Sequence, residues 1–164
     1  MDPKKMLQDK KILIVDDEVD ILEFLGEILD MCDIDKASEF HEAKNLLESN
    51  SYDVTILDIM GVRGYELLEI AQARDIPALM LTAHAISKEN LKKSVEKGAS
   101  YYVPKDEINN IDIYLSDILE AREKGKNVWI KWYERMSGFC NRRFGPDWRD
   151  EEPEFWDVYL KNDS

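Results

Sequence analysis

Residues 52–60, Tyr-Asp-Val-Thr-Ile-Leu-Asp-Ile-Met, carry the clearest sign of how this chain folds. Val54 to Leu57 make a continuous run of β-branched and aliphatic residues, and the run ends at the carboxylate of Asp58. A short run without polar alternation is typical of a strand covered on both faces in a parallel sheet. Because ligands bind beyond the carboxyl ends of such strands, Asp58 stands at a predicted functional position.

Strand and helix patterns alternate five times along residues 9–123. Strands are predicted at residues 11–15, 34–37, 54–57, 76–82 and 100–103, and helices at 21–29, 38–47, 64–71, 87–97 and 108–119. Ser38 is the expected N-cap of the second helix. Each parallel step requires a right-handed crossover, so this order predicts an α/β fold with a doubly wound five-stranded parallel sheet and helices on both faces.

Residues 124–164 differ in kind and predict an aromatic-rich helical C-terminal extension. All four tryptophans lie there, at positions 129, 132, 148 and 156. Val128, Trp132, Met136 and Cys140 form one helical stripe. Such a stripe favours packing against the chain's own first domain or against a second copy. A docking surface for another protein and a single-strand nucleic-acid site remain alternatives.

Composition limits the classes of function. The chain has 164 residues, 44% hydrophobic and 35% charged, with a net charge of −13, which argues against nucleic-acid wrapping as its main role. Residues 122–149 nevertheless carry eight bases and three acids. Cys32 and Cys140 lack metal-ligand spacing and are expected to be reduced thiols. Without a signal peptide or a membrane-length apolar run, the expected location is cytoplasmic.

The ends of four predicted strands bring chemically active side chains to one edge of the sheet. They are Asp16, Asp17, Asp58, Thr82 and Lys105. Converging carboxylates repel one another in a partly dry site, and a hard cation such as Mg²⁺ relieves that repulsion. An ammonium and a hydroxyl beside the metal suit a phosphoryl group on a carboxylate, since an aspartate can form an acyl phosphate.

Four motifs in this order resemble the receiver domain of two-component response regulators, a CheY-like domain. They are Ile-Leu-Ile-Val-Asp16-Asp17-Glu, Val-Thr-Ile-Leu-Asp58-Ile-Met, Met-Leu-Thr82-Ala and Tyr-Tyr102-Val-Pro-Lys105. The resemblance covers residues 9–123. It implies a phosphorelay switch rather than a turnover enzyme, with a sensor histidine kinase or a phosphotransfer protein as the phosphoryl donor.

The resemblance also implies a role for each matching residue. Asp58 resembles the phosphoacceptor, and the Mg²⁺ ligands would be Asp16, Asp17, Asp58 and the main-chain carbonyl of Met60. Thr82 and Lys105 resemble the phosphoryl-contacting pair, and Tyr102 the aromatic residue whose rotamer follows the threonine. Output is expected on the face of the helices at 87–97 and 108–119, through an unidentified downstream protein or a homodimer. The sequence does not favour nucleic-acid binding or membrane binding.

Two departures from the family pattern affect geometry but remove no chemical group. The loop from Asp58 to Gly64 is two residues shorter than usual and lacks proline, and Pro104 precedes Lys105 instead of following it. Two rival functions remain. One is a receiver that binds partners without phosphorylation, and the other is a Mg²⁺-dependent aspartyl-phosphate phosphohydrolase. The second would need an acid/base carboxylate about where Met60 stands. His84, close after Thr82, is either a solvated loop residue or a neighbour of the phosphoryl group.

Overall fold

The computed structural model describes residues 2–83 and 87–160. Over these residues the strands are β1 (Lys11–Val15), β2 (Asp33–Ala37), β3 (Val54–Asp58), β4 (Ala78–Thr82) and β5 (Tyr101–Pro104). The helices are α1 (Pro3–Leu7), α2 (Val19–Ile28), α3 (Phe40–Ser49), α4 (Gly64–Ala73), α5 (Lys88–Glu96), α6 (Ile111–Lys124), α7 (Val128–Phe144) and α8 (Pro153–Tyr159). Two short 3₁₀ helices span Lys105–Asn110 and Trp148–Glu151.

All five strands are parallel and lie in the order β2-β1-β3-β4-β5, which confirms the predicted α/β architecture. Every residue of β3 and β4 is buried, as the continuous apolar runs indicate. Strand β2 forms one edge of the sheet, and Ala37 is its one fully buried residue. Asp58 pairs with Leu81 in the register of β3 and β4, so the two strands end side by side.

Some element boundaries differ from the sequence-based prediction. Glu39, not Ser38, is the N-cap of α3, because its carboxylate accepts hydrogen bonds from the amides of His41 and Glu42. Helix α1 lacks a predicted counterpart. It begins after Asp2, whose side chain accepts from the Lys4 amide at 3.0 Å, and it buries Met6 and Leu7. It packs on α6, a long-range contact that a five-residue pattern does not reveal.

Two further elements begin later in the chain than the sequence predicted, because of local hydrogen bonding. Strand β4 begins at Ala78 instead of residue 76, because the Ile76 amide still donates to the Ala71 carbonyl at the exit of α4. Helix α6 begins at Ile111 instead of residue 108, because Lys105–Asn110 form a 3₁₀ helix first. Both shifts lie at the ends of elements, where local pattern is least informative.

Helix α7 packs along the edge strand β5. The indole N–H of Trp129 donates to the Ala99 carbonyl at 3.2 Å, and that of Trp132 donates to the Tyr102 carbonyl at 2.8 Å. Trp132 is completely buried, and Met136 on the same stripe is buried as well. These contacts pack α7 on the chain's own α/β domain, and dimerisation or partner docking through the extension stays a prediction.

Polar contacts fasten the extension at two further places. Arg135 of α7 makes two hydrogen bonds to the buried carboxylate of Asp117 in α6, at 2.5 and 3.0 Å. Further along the chain, Lys88 of α5 pairs with Glu151 at 2.6 Å. None of the described helices is both long enough and apolar enough to cross a membrane.

Candidate functional site

Three carboxylates meet where β1 and β3 end. Asp16 and Asp17 directly follow β1, and Asp58 is the last residue of β3. One oxygen from each carboxylate lies within 4.8 Å of the others. Asp16 and Asp58 are buried, whereas Asp17 is exposed, so the cluster opens to solvent on the Asp17 side. The parallel order of the strands therefore brings together the acids that the sequence analysis placed at one edge.

Lys105 is the cation of this cluster. Its Nζ lies 2.9 Å from Oδ2 of Asp16 and 3.5 Å from Oδ1 of Asp58. Glu18, which the sequence analysis did not select, lies 3.6 Å from the same ammonium. The position of Glu18 directly after Asp17 could have indicated that it also lies at this edge of the sheet. Burial lowers the pKa of Lys105, but the three carboxylates outweigh burial and the net shift is upward.

Burial raises the pKa of Asp58 to about 7, and the neighbouring charges of Asp16 and Asp17 act in the same direction. Lys105 opposes the shift without cancelling it. The pKa of Asp16 is also raised, mainly by burial, although its Oδ1 accepts a hydrogen bond from the Glu18 amide at 2.9 Å. The cluster thus has more negative charge than one ammonium neutralises, and this donor set fits a bound divalent cation.

The short loop after Asp58 closes by means of two glycines. Gly61 has φ +84°, and a Cβ atom there would overlap the carboxylate of Asp17. Gly64 starts α4 so close to β3 that a Cβ atom would overlap the carbonyl oxygen of Asp58. The loop therefore lies against Asp17, which brings the main chain around Met60 to the acid cluster. Among the described residues no peptide bond is cis, including the one between Pro104 and Lys105.

Thr82 and Tyr102 lie beside the cluster on β4 and β5. Thr82 ends β4, one residue after the partner of Asp58, and is buried. Burial raises the pKa of Tyr102 to about 12, while the nearby Thr82 side chain and Ser87 amide act in the opposite direction. Tyr101, the competing aromatic residue, instead donates from its hydroxyl to Asp117 at 3.1 Å. Of the two tyrosines, Tyr102 is the neighbour of Thr82.

His84 lies outside the described residues, so its alternative positions stay untested. Of the remaining predicted residues, six lie at the carboxyl ends of the strands or follow them closely, and Tyr102 lies within β5 opposite Met80. The six are Asp16, Asp17, Asp58, Met60, Thr82 and Lys105. Asp16, Asp17 and Asp58 supply three carboxylates, Lys105 supplies an ammonium, and Thr82 and Tyr102 supply one hydroxyl each.

Comparison with known proteins gives the class of this fold and site. The family model for the response regulator receiver domain matches residues 12–116. The probable transcriptional regulator ycf27 of Guillardia theta is 40% identical over 101 residues, which cover 58% of this chain and 39% of that protein. The receiver domain of the Francisella response regulator 1452 superposes with a TM-score of 0.63 at 27% identity, covering 70% of this chain and 99% of that one.

A further solved relative is the BeF3-activated DrrB receiver domain, with a TM-score of 0.62 and 26% identity over 69% of this chain and 99% of that chain. The chain belongs to the response regulator receiver family of two-component signalling systems. It spans less than half the length of the ycf27 relative that it matches. The family match ends before α7, so the C-terminal extension lies outside it.

Proposed function

We propose that this chain is a phosphorylation switch that accepts a phosphoryl group on Asp58. The donor would be a phosphohistidine on a sensor histidine kinase or a phosphotransfer protein. One carboxylate oxygen of Asp58 attacks the phosphorus, the bond between phosphorus and the imidazole nitrogen breaks, and the imidazole leaves with the electron pair. The product is an acyl phosphate on Asp58.

The observation that carries the proposal is the position of Lys105. Its ammonium lies 3.5 Å from Asp58 and 2.9 Å from Asp16, at the carboxyl edge of a parallel sheet. From there it can neutralise negative charge on the transferred group and then pair with the phosphoryl oxygens. Thr82, at the end of the adjacent strand, supplies a hydroxyl donor to a second oxygen.

Asp16, Asp17 and Asp58 would hold Mg²⁺, together with the main-chain carbonyl of Met60. The excess of negative charge in the cluster and the closeness of the loop to Asp17 support this set. When bound, the ion supplies charge neutralisation for the phosphoryl oxygens. Removal of divalent cations should therefore abolish phosphorylation without unfolding the protein.

The site supports a switch more than a phosphohydrolase. A hydrolase of this kind needs an acid/base group near the nucleophile, whereas Met60, two residues after Asp58, is a thioether that is 70% exposed. We propose a cytoplasmic protein whose output passes through contacts with a downstream protein or a second copy. The ycf27 relative is named a probable transcriptional regulator, so binding of nucleic acid through a separate output domain is a second candidate output.

The test is phosphorylation in the absence of any kinase. Purified protein is incubated with Mg²⁺ and acetyl phosphate, and intact mass is measured. We expect the gain of one phosphoryl group in the wild type and none in Asp58→Asn or after chelation of the metal. An unchanged wild-type mass, together with no beryllofluoride binding in the presence of Mg²⁺, would leave a receiver that acts only by binding partners.

A further inference from the structure

Trp132 links the C-terminal extension to Tyr102, which lies next to the proposed phosphorylation site. Its indole N–H donates to the main-chain carbonyl of Tyr102 at 2.8 Å, and both side chains are completely buried. Tyr102 lies on the edge strand β5, which has no further strand beside it among the described residues. Helix α7 therefore packs directly along this edge strand at Tyr102.

The side chain of Tyr102 lies beside Thr82 of the proposed phosphorylation site. Its phenol lies near the Thr82 side chain and the Ser87 amide, which both act to lower the pKa of Tyr102. The Tyr102 hydroxyl is buried and has no hydrogen-bond partner of good geometry among residues 2–83 and 87–160. Tyr102 thus connects the two elements: its main-chain carbonyl bonds to Trp132 of α7, and its buried side chain lies beside Thr82 at the end of β4.

Helix α7 is also held by contacts that lie outside the site. Arg135 holds the helix to the buried Asp117 of α6 through two hydrogen bonds, and Trp129 holds it to Ala99 before β5 begins. Tyr101 strengthens the same joint, because its hydroxyl also donates to Asp117. None of these contacts involves a residue of the acid cluster. They therefore hold α7 beside Tyr102 from outside the site.

We propose that Trp132 is a positioning residue for phosphorylation: through Tyr102 it holds Thr82 in the arrangement that receives the phosphoryl group. This inference rests on the proposed function of Asp58. Its consequence is that docking of α7 and occupation of the phosphoryl site favour one another, because coupling between two sites acts equally in both directions. The C-terminal extension then stabilises the phosphorylated state instead of opposing it.

The test is the affinity of the full-length protein for beryllofluoride, a phosphoryl mimic, in saturating Mg²⁺. Trp132→Phe keeps an aromatic ring in the buried space and deletes the indole N–H. We expect it to weaken beryllofluoride binding about 2- to 10-fold, the range that corresponds to one hydrogen bond. The affinity for Mg²⁺ alone should stay unchanged, because neither Thr82 nor Tyr102 is among the proposed metal ligands.

Trp129→Phe is the matched control. It deletes the same kind of bond on the same helix, but the acceptor is Ala99, before β5 begins. We expect wild-type affinity for both beryllofluoride and Mg²⁺. Hydrogen exchange gives the reciprocal measurement: beryllofluoride should slow exchange of the α7 amides around Trp132 in the wild type, and should not in Asp58→Asn.

Each outcome decides between the proposals. Wild-type beryllofluoride affinity in Trp132→Phe, or a tighter complex, overturns the positioning role. Equal losses of Mg²⁺ and beryllofluoride affinity overturn it too, because they show a general structural defect. If the wild type itself does not bind beryllofluoride with Mg²⁺ present, the proposed function of Asp58 fails and the role of Trp132 fails with it. A selective loss in Trp132→Phe supports both.

Discussion

Burial and the neighbouring carboxylates destabilise the ionised form of Asp58 when no metal is bound. Its pKa rises to about 7 because the carboxylate is buried beside Asp16 and Asp17. A carboxyl group with a raised pKa in the folded state binds its proton more tightly there than in the unfolded chain. Its contribution to stability is therefore largest at low pH and is lost as the pH rises from about 4 to about 7.

Replacement of Asp58 by asparagine should reverse this effect. We expect Asp58→Asn to raise the free energy of unfolding of the metal-free protein by about 2 kcal/mol more at pH 7.5 than at pH 5, since each pKa unit corresponds to about 1.4 kcal/mol. At pH 5 the protonated acid and the amide should be nearly equivalent. Urea unfolding at the two pH values, in chelator, measures the difference, and Mg²⁺ should reduce it. An equal effect at both pH values would contradict the raised pKa.

Gly61 is the residue on which the shortened loop depends. Its φ of +84° and its closeness to the Asp17 carboxylate exclude a Cβ atom. We expect Gly61→Ala to weaken Mg²⁺ binding about 10-fold, because it displaces a proposed ligand, and to destabilise the fold by about 1–2 kcal/mol.

Gly125 provides the matched control for that substitution. It also has a positive φ, +65°, but a Cβ atom added there would have no neighbouring atom within 4 Å. Gly125→Ala should therefore lower the free energy of unfolding by about 1 kcal/mol and leave Mg²⁺ affinity unchanged. Calorimetric titration with Mg²⁺ separates the two variants. Similar Mg²⁺ affinities would show that the loop tolerates displacement.

At the scale of elements, the joint between α6 and α7 depends on a buried charge. Asp117 is only 6% exposed and accepts hydrogen bonds from Arg135 and Tyr101. Removal of Arg135 leaves that carboxylate in a site with one neutral donor. Because the loss of one partner of a buried pair is costly, Arg135→Met should lower the free energy of unfolding by about 2–3 kcal/mol.

A second substitution tests the cause of that loss. Arg135→Met combined with Asp117→Asn should recover part of the stability, since an amide is less costly to bury than an unpaired carboxylate. Lys124→Ala breaks the surface pair with Glu120 and should cost about 0.5 kcal/mol or less. Urea unfolding of the wild type and these three variants measures the differences. A double variant less stable than Arg135→Met alone would show that packing, not charge, is responsible.

At the scale of the whole molecule, the C-terminal extension completes the surface of the α/β domain. Trp129, Trp132 and Met136 are all buried against it. We expect a chain that ends at residue 125 to lose at least about 3 kcal/mol of stability, comparable to the removal of one large buried side chain. It should also bind more of a hydrophobic dye. Unfolding midpoints and dye fluorescence check both expectations.

The surface ion pairs between α5 and the extension should contribute much less to stability than the buried side chains that the truncation removes. Lys88 pairs with Glu151 and Lys92 with Glu152, and all four side chains are about one-third exposed or more. The double substitution Lys88→Ala and Lys92→Ala should therefore change the free energy of unfolding by about 1 kcal/mol or less. A truncated chain as stable as the full one would mean that α7 is not part of the folded unit.

The fold class and the three acids of the cluster, Asp16, Asp17 and Asp58, were predictable from the amino-acid sequence. Continuous apolar runs that end at Asp16, Asp58 and Thr82 indicate a parallel sheet, and a parallel sheet brings those ends to one edge. Each of these inferences depends only on local periodicity and on the chirality of crossovers. The response regulator receiver family followed from the same residues, and the comparisons confirmed it.

Contacts between residues far apart in the chain were not predictable from local sequence patterns. Helical periodicity predicted that Trp132 lies on a buried stripe, but only packing shows that its indole bonds to Tyr102, 30 positions earlier. The same holds for Arg135 and Asp117, and for helix α1 on α6. A local pattern records which face of an element is apolar. Which surface covers that face is set by the closure of the whole chain, because apolar burial has no direction and many partners satisfy it equally.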